Sequence, residues 1–311
     1  MTIQIKWPSQ ASKGLTSIEL YRKVGWNATL DMVNPGTPYK VLDAGATSFT
    51  EDVKDLTEKT IYSYWVAAVK GDERLIGSKI TQAFYLDTGP GSQVPIRGDW
   101  VCGYFGRLTK DEFFNRQEVI PQLTPAQQSN YQYEPQYWHK FIYRGKILFF
   151  PETHQGYSTY ASVYATGLMS GADVLSITPG GVAAVPQNAR VQKDGRQYIV
   201  RMPWGNTPGE TNGWGPKGEW FNTMGRMFGG SGGNAVDGLV AELGVSQPFW
   251  NDLPVLSNSS SNTDIGAVGL IPLYSTSGFY YAYAYRPMAF TSNTGVATSM
   301  YMRYVFELVL P

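Results

Sequence analysis

The chain has 311 residues, more than one small sandwich needs, so two domains are expected. Its 25 Lys+Arg balance 25 Asp+Glu, and a formal net charge of zero removes the usual electrostatic reason to expect nucleic acid or membrane insertion. The charged fraction, 16%, is low beside the roughly 25% of ordinary domains, while 21 Tyr and 34 Gly suit a surface covered by neighbours or a carbohydrate-binding face.

The single cysteine, Cys102, excludes an intrachain disulfide and a multi-cysteine metal cage; its expected role is a small buried hydrophobe. No apolar run approaches the roughly 18 residues of a membrane-spanning helix. The opening MTIQIKWPSQ lacks the basic and apolar regions of a signal peptide. The expectation is a chain made in the host cytoplasm that leaves, if at all, on a particle released by lysis.

In chain order, IQIKWP, SIELYRKV, TSFTEDV, TIYSYWVAAVK and GSKITQAFYL are strand-like runs broken by Gly, Pro, Asn and Asp within about ninety residues. That is the pattern of a β-sandwich. In the fourth run, Tyr62, Tyr64, Val66 and Ala68 alternate with Ile61, Ser63, Trp65 and Ala67, so large residues on both faces place it inside the sheet. LDTGPGSQVPIRGDW (86–100) concentrates Gly and Pro where this periodicity stops. A boundary follows: 1–89 as the sandwich, 90–99 as linker, 100–311 as a second domain.

The first segment resembles a fibronectin type III module over residues 2–87. Trp7-Pro8, Tyr21, and the set Leu56, Thr60, Tyr62, Val66 and Ala68 carry the match. The resemblance implies Trp7, Tyr21, Tyr62 and Val66 as structural core, with Tyr62 as a tyrosine corner whose hydroxyl bonds nearby backbone. In that family a whole strand precedes the tryptophan-bearing one, whereas Met1 lies only six residues before Trp7. The expectation is an open sheet edge, either blunted or completed by a neighbouring subunit.

In the second domain, Thr109 and Glu112 form a capping-box pattern before a short helix, and Thr124-Pro125 starts another. YSTYASVYATGL puts Tyr157, Tyr160, Ala161 and Tyr164 on one helical face closed by Gly167, and GEWFNTMGRMF reads as a third helix before a GGSGG linker. Hairpins are expected at Arg144-Gly145 and Asp194-Gly195. GFYYAYAYRPMAF and MYMRYVFELVLP read as long strands, the last a core strand. The domain is therefore a β-rich α+β fold, and the whole chain is mainly β.

The ordered set Trp138, Lys140, Phe141, Gly145, Lys146, Leu148, then Gly167-Leu168, then Gly195, Tyr198, Val200, Arg201, then Glu219-Trp220, then Arg303, Val305, Glu307, Leu308 resembles a class of tailed-bacteriophage virion structural proteins. Phe221 and Phe306 depart from that pattern. The resemblance implies a location on the virion, with other virion proteins and copies of the chain itself as partners.

Chemistry is sparse. His139 and His154 are the only histidines and lack metal-ligand spacing to another candidate. Glu210, Glu219, Asp237, Glu242, Asp252 and Asp264 could supply the paired carboxylates of a glycan-cleaving enzyme, but any domain of this size carries several. Trp204, Trp214 and Trp220 lie in a Gly/Pro-rich stretch and Trp250 follows in QPFWNDLP; these are candidate contacts to a partner or host glycan. Phe279, Tyr281, Tyr283 and Tyr285 would line one face of a strand opposite Tyr280, Ala282 and Ala284. The resulting expectation is a non-enzymatic, tail-fibre or adhesin-like virion protein, without catalytic residues, cofactor or metal. A head-decoration protein is the near alternative, and a glycan-cleaving virion enzyme is the alternative of another class.

Overall fold

The structure is a computed structural model that describes residues 2–171, 183–204, 219–227 and 299–310, together with short strands between 239 and 291. The chain divides into two compact units, Met1–Thr88 with Gly98–Val101, and Gly89–Arg97 with Cys102–Pro311.

The first unit is all β. Strands β1 (Gln4–Lys6) and β4 (Ser48–Thr50) pair as one small antiparallel sheet. The other sheet runs β3 (Lys40–Asp43), β2 (Ser17–Val24), β5 (Thr60–Lys70), β6 (Glu73–Ile76), with β7 (Ile80–Phe84) also pairing β5. Among the described residues β1 pairs β4 alone.

β5 is central, as its two large faces predict. One face joins Tyr62 and Tyr64 to Ile3, Ile5, Leu20 and Phe84; the other packs Trp65 and Ala67 with Tyr21 beneath Ala28 and Leu30. Trp7, expected in the core, packs only at the margin of the first cluster, half-buried, with its indole Nε1 donating to Ala46 O at 2.8 Å. Trp65, 2% exposed, and Trp100, 7% exposed, are tryptophans this unit buries. Val66 is likewise half-buried.

Tyr62 is buried, and its hydroxyl accepts a 2.7 Å hydrogen bond from the Thr57 backbone N–H five residues upstream. A buried carboxylate organises the same interior. Glu51 accepts from Arg22 Nη1 (3.1 Å), Tyr39 OH (2.9 Å) and Tyr64 OH (2.8 Å), so its charge is paired and hydrogen-bonded.

The second unit is built on a seven-stranded sheet. Its elements are β8 (Arg97–Gly98), β9 (Cys102–Thr109), α1 (Arg116–Val119), α2 (Pro125–Gln128), β10 (Tyr137–Tyr143), β11 (Lys146–Pro151), β12 (Gly156–Thr159), α3 (Tyr160–Ala165), β13 (Arg190–Lys193), β14 (Arg196–Arg201) and α4 (Glu219–Asn222). The short strands β15 (Leu239–Val240), β16 (Ser246–Gln247), β17 (Leu270–Pro272), β18 (Tyr281–Arg286) and β19 (Ala289–Thr291) follow, then β20 (Ser299–Met302) and β21 (Val305–Val309). The sheet order is β13-β14-β21-β11-β10-β9-β8, antiparallel from β13 to β9. The last strand is thus inserted between β14 and β11, deep in the sheet. β12 pairs β20 beside it.

Both expected hairpins form. Arg144 (φ 49°) with Gly145 (φ 84°), and Asp194 (φ 53°) with Gly195 (φ 73°), occupy the left-handed region that two-residue turns require. Thr124 caps α2 through a capping box with Gln127 and Pro125 at its first position. Thr109 and Glu112 also exchange hydrogen bonds, but they close only one turn; the helix begins later, with Asn115 and Glu118 forming the box. α3 is capped by Thr159 and buries Tyr160, Val163 and Tyr164, whereas Tyr157 belongs to β12 and faces solvent. Gly167 (φ 78°) follows α3, where an added Cβ would stand 2.6 Å from Pro186 O.

Most of the Gly/Pro-rich stretch read as linker, residues 89–97, packs as part of the second unit. Fully buried Lys140 holds it, donating to Gly89 O at 3.2 Å and Ser92 O at 2.7 Å. One face of the sheet carries an aromatic core in which Phe113 stacks on Phe149 at 4.2 Å and meets Trp138, Tyr198 and Phe306 edge-on.

Candidate functional site

The candidate contact residues divide. Trp214 and Trp250 lie outside the described residues, as do Glu210, Asp237, Glu242, Asp252, Asp264, Phe279, Tyr280 and the GGSGG segment; of Tyr281–Arg286 the structure describes the backbone as a strand. Trp204 is half-buried, and its backbone O and N–H bond Trp220 N–H and Glu219 Oε1. Trp220, read as a surface contact, is 2% exposed and packs edge-on against Phe150, with Arg303 over its ring. The apolar bulk of the indole is worth more inside this sheet face than on the surface, so Trp220 is core.

Glu219, one of the candidate carboxylates, is paired with a guanidinium. The Arg201 guanidinium holds both its oxygens, at 2.8 and 2.7 Å, and donates from Nε to Glu307 Oε2 at 2.8 Å. Lys146 reaches the same Glu307 oxygen at 3.3 Å. Burial alone would push the Glu307 carboxyl up, but Arg201 and Lys146 outweigh it and hold its pKa below the usual carboxylate range. Arg201 is 1% and Glu219 4% exposed, so this is a buried, fully engaged ion-pair cluster.

His139 lies buried on β10, with Nδ1 3.1 Å from the Tyr104 hydroxyl and Nε2 3.7 Å from Glu152 Oε1, beyond hydrogen-bond reach. Burial keeps the ring neutral by lowering its pKa, and pushes the Tyr104 phenol up to about 12. Cys102, expected as a buried hydrophobe, is half-buried and polar in its contacts. Its thiol donates to Asn222 O at 2.8 Å and receives Arg226 Nη1 at 3.3 Å.

One cluster that the sequence does not announce faces outward. Tyr133 meets His154 edge-on at 5.0 Å between ring centroids, His154 lies 4.3 Å from Tyr301, and Tyr301 lies 5.0 Å from Tyr157. Tyr133 and Tyr157, at the two ends, are 45% and 46% exposed. The row is set on a stiff frame. Tyr157 pairs directly with Tyr301 across β12 and β20.

The frame's hub is Gln155, fully buried. Its carbonyl accepts from the Gln132 and Tyr133 N–H groups (2.6 and 2.8 Å), its N–H donates to Met302 O (2.8 Å), and its side-chain oxygen accepts from Tyr304 N–H (2.6 Å). Gly156 lets the Asn130 carbonyl come close enough that a Cβ would stand 2.0 Å from its oxygen. The His154-Gln155-Gly156-Tyr157 run was the only local signal. Tyr133 and Tyr301 join it through pairing that no short motif encodes.

Among the described residues no group of three His, Cys, Asp or Glu is placed to hold a metal, and no helix is long and apolar enough to cross a membrane. No family model, curated protein or solved structure matches the chain.

Proposed function

We propose that the chain is a non-enzymatic structural protein on the surface of a tailed-phage virion, tail-associated and adhesin-like, that contributes to assembly and host attachment. One observation carries the reading. The scattered motif residues behind the resemblance converge on framework positions: Lys146, Arg201, Glu219 and Glu307, from four separate motifs, meet in one ion-pair cluster. Trp138 and Tyr198, two more residues of that series, pack edge-on against Phe113 in the aromatic core of the same sheet. The resemblance therefore rests on residues that hold geometry rather than on a reacting centre. The tyrosine corner and two-layer strand arrangement of the first unit support a fibronectin-like spacer or docking module.

The decisive experiment is immunogold labelling of purified particles with an antibody to this chain, together with a reducing-end assay on host surface polysaccharide. Label on the tail and no turnover are expected. Label confined to the head would favour a decoration protein, and steady release of reducing ends would overturn the non-enzymatic reading.

A further inference from the structure

The outward row Tyr133–His154–Tyr301–Tyr157 is not used by the fold in the way buried aromatics are. Its end rings are nearly half exposed, and the hydroxyls of Tyr133, Tyr157 and Tyr301 form no hydrogen bond with another described residue. The backbones beneath are pinned by Gln155, so the rings are presented rather than loosely draped. Tyrosine offers a flat apolar body with a polar tip at little cost in side-chain entropy.

The chemistry of the occupant follows from what the row contains. It carries no charged side chain: burial, with Arg303 nearby, lowers the His154 pKa to about 4, so its imidazole is neutral at physiological pH. Four part-exposed rings offer on the order of 300 Å², well short of the roughly 800 Å² per partner that a stable protein interface needs. A ligand matched to this surface is narrow, uncharged, apolar on its faces and rich in hydroxyls at its edges. We infer that this row is a binding platform for a neutral saccharide chain, with sugar faces on the Tyr133 and Tyr157 rings and sugar hydroxyls bonded to the phenol oxygens. This names the partner chemistry of the attachment role proposed above; it rests on that reading for its biological setting only.

The full-length chain has two histidines, so ¹³C-histidine NMR reports the platform directly. Titration with cellohexaose, maltohexaose and chitohexaose is expected to shift the His154 signals for at least one probe and leave buried His139 unmoved. Y133A/Y157A, at exposed positions, is expected to weaken that binding at least ten-fold with an unchanged melting temperature. Y133F, which keeps the ring and removes one hydroxyl, is expected to weaken it less. Unmoved His154 signals with all three sugars at millimolar concentration would overturn the inference. So would undiminished binding by Y133A/Y157A, or self-association of the wild type that this variant abolishes, which would make the row a contact between copies. Sugar binding by a chain absent from particles would sink the virion reading alone; a chain on particles that ignores all three sugars would sink the platform alone.

Discussion

The hydroxyl of Tyr62 accepts the Thr57 N–H from within the first unit's interior. Tyr62→Phe keeps the ring and strands that N–H, so it should lower stability by about 1 kcal/mol, read as a shift of the urea midpoint with an unchanged m-value. An unshifted midpoint would show that water replaces the hydroxyl. The histidines make a second residue-scale prediction. Burial lowers the pKa of both, to about 4 for His154. A group that resists protonation when folded but accepts a proton near pH 6.5 when unfolded contributes stability above pH 6.5 and loses it as pH falls toward its folded pKa. For His154 that loss is on the order of 1–2 kcal/mol, less than the full shift because the ring keeps part of its surface in water. Neither histidine NMR signal should titrate between pH 7 and 6, and urea midpoints should fall from pH 7 to pH 5. A histidine titrating near 6.5 would count against the packing around it.

At the scale of elements, close approach at Gly156 decides whether β12 can lie against the segment that follows α2. Asn130 cannot retreat easily, since its N–H bonds Gln127 O, its carboxamide bonds Thr166 and its carbonyl receives Tyr304 OH. Gly156→Ala should therefore cost about 1–3 kcal/mol by overpacking, seen as a melting temperature several degrees lower. The same scale shows what the sequence made legible. The Arg144-Gly145 and Asp194-Gly195 hairpins and the Thr124-Pro125 helix start were readable because each is fixed by the conformational needs of neighbouring residues. Thr109 misled for the same local reason: its bonds to Glu112 do form, but the strand runs through Thr109 and the helix waits for Asn115. Trp220 misled because a Gly/Pro-rich flank says nothing about which sheet face a ring finds. The aromatic row was illegible because Tyr157 and Tyr301 meet only through the pairing of β12 with β20.

At the scale of the whole chain, the feature hardest to read locally is the insertion of β21 between β14 and β11, which brings Glu307 beside Arg201. The motif residues are visible as a series along the chain, but only the sheet order brings Lys146, Arg201 and Glu307 side by side. A buried guanidinium facing two carboxylates need not add much stability over an apolar replacement, yet removing one partner leaves uncompensated buried charge. Arg201→Met should therefore cost about 3–5 kcal/mol, whereas the same change with Glu219→Gln and Glu307→Gln should recover most of that loss. The pH dependence has a definite sign. The Glu307 pKa lies below its unfolded value, so its contribution is complete above that value and disappears as pH falls through the folded pKa. Urea midpoints of the wild type should thus fall on acidification below about pH 4.5, and the triple variant should lose less over the same range. Equal acid sensitivity of wild type and triple variant would mean that the Arg201 cluster aligns the strands without setting the protein's acid limit.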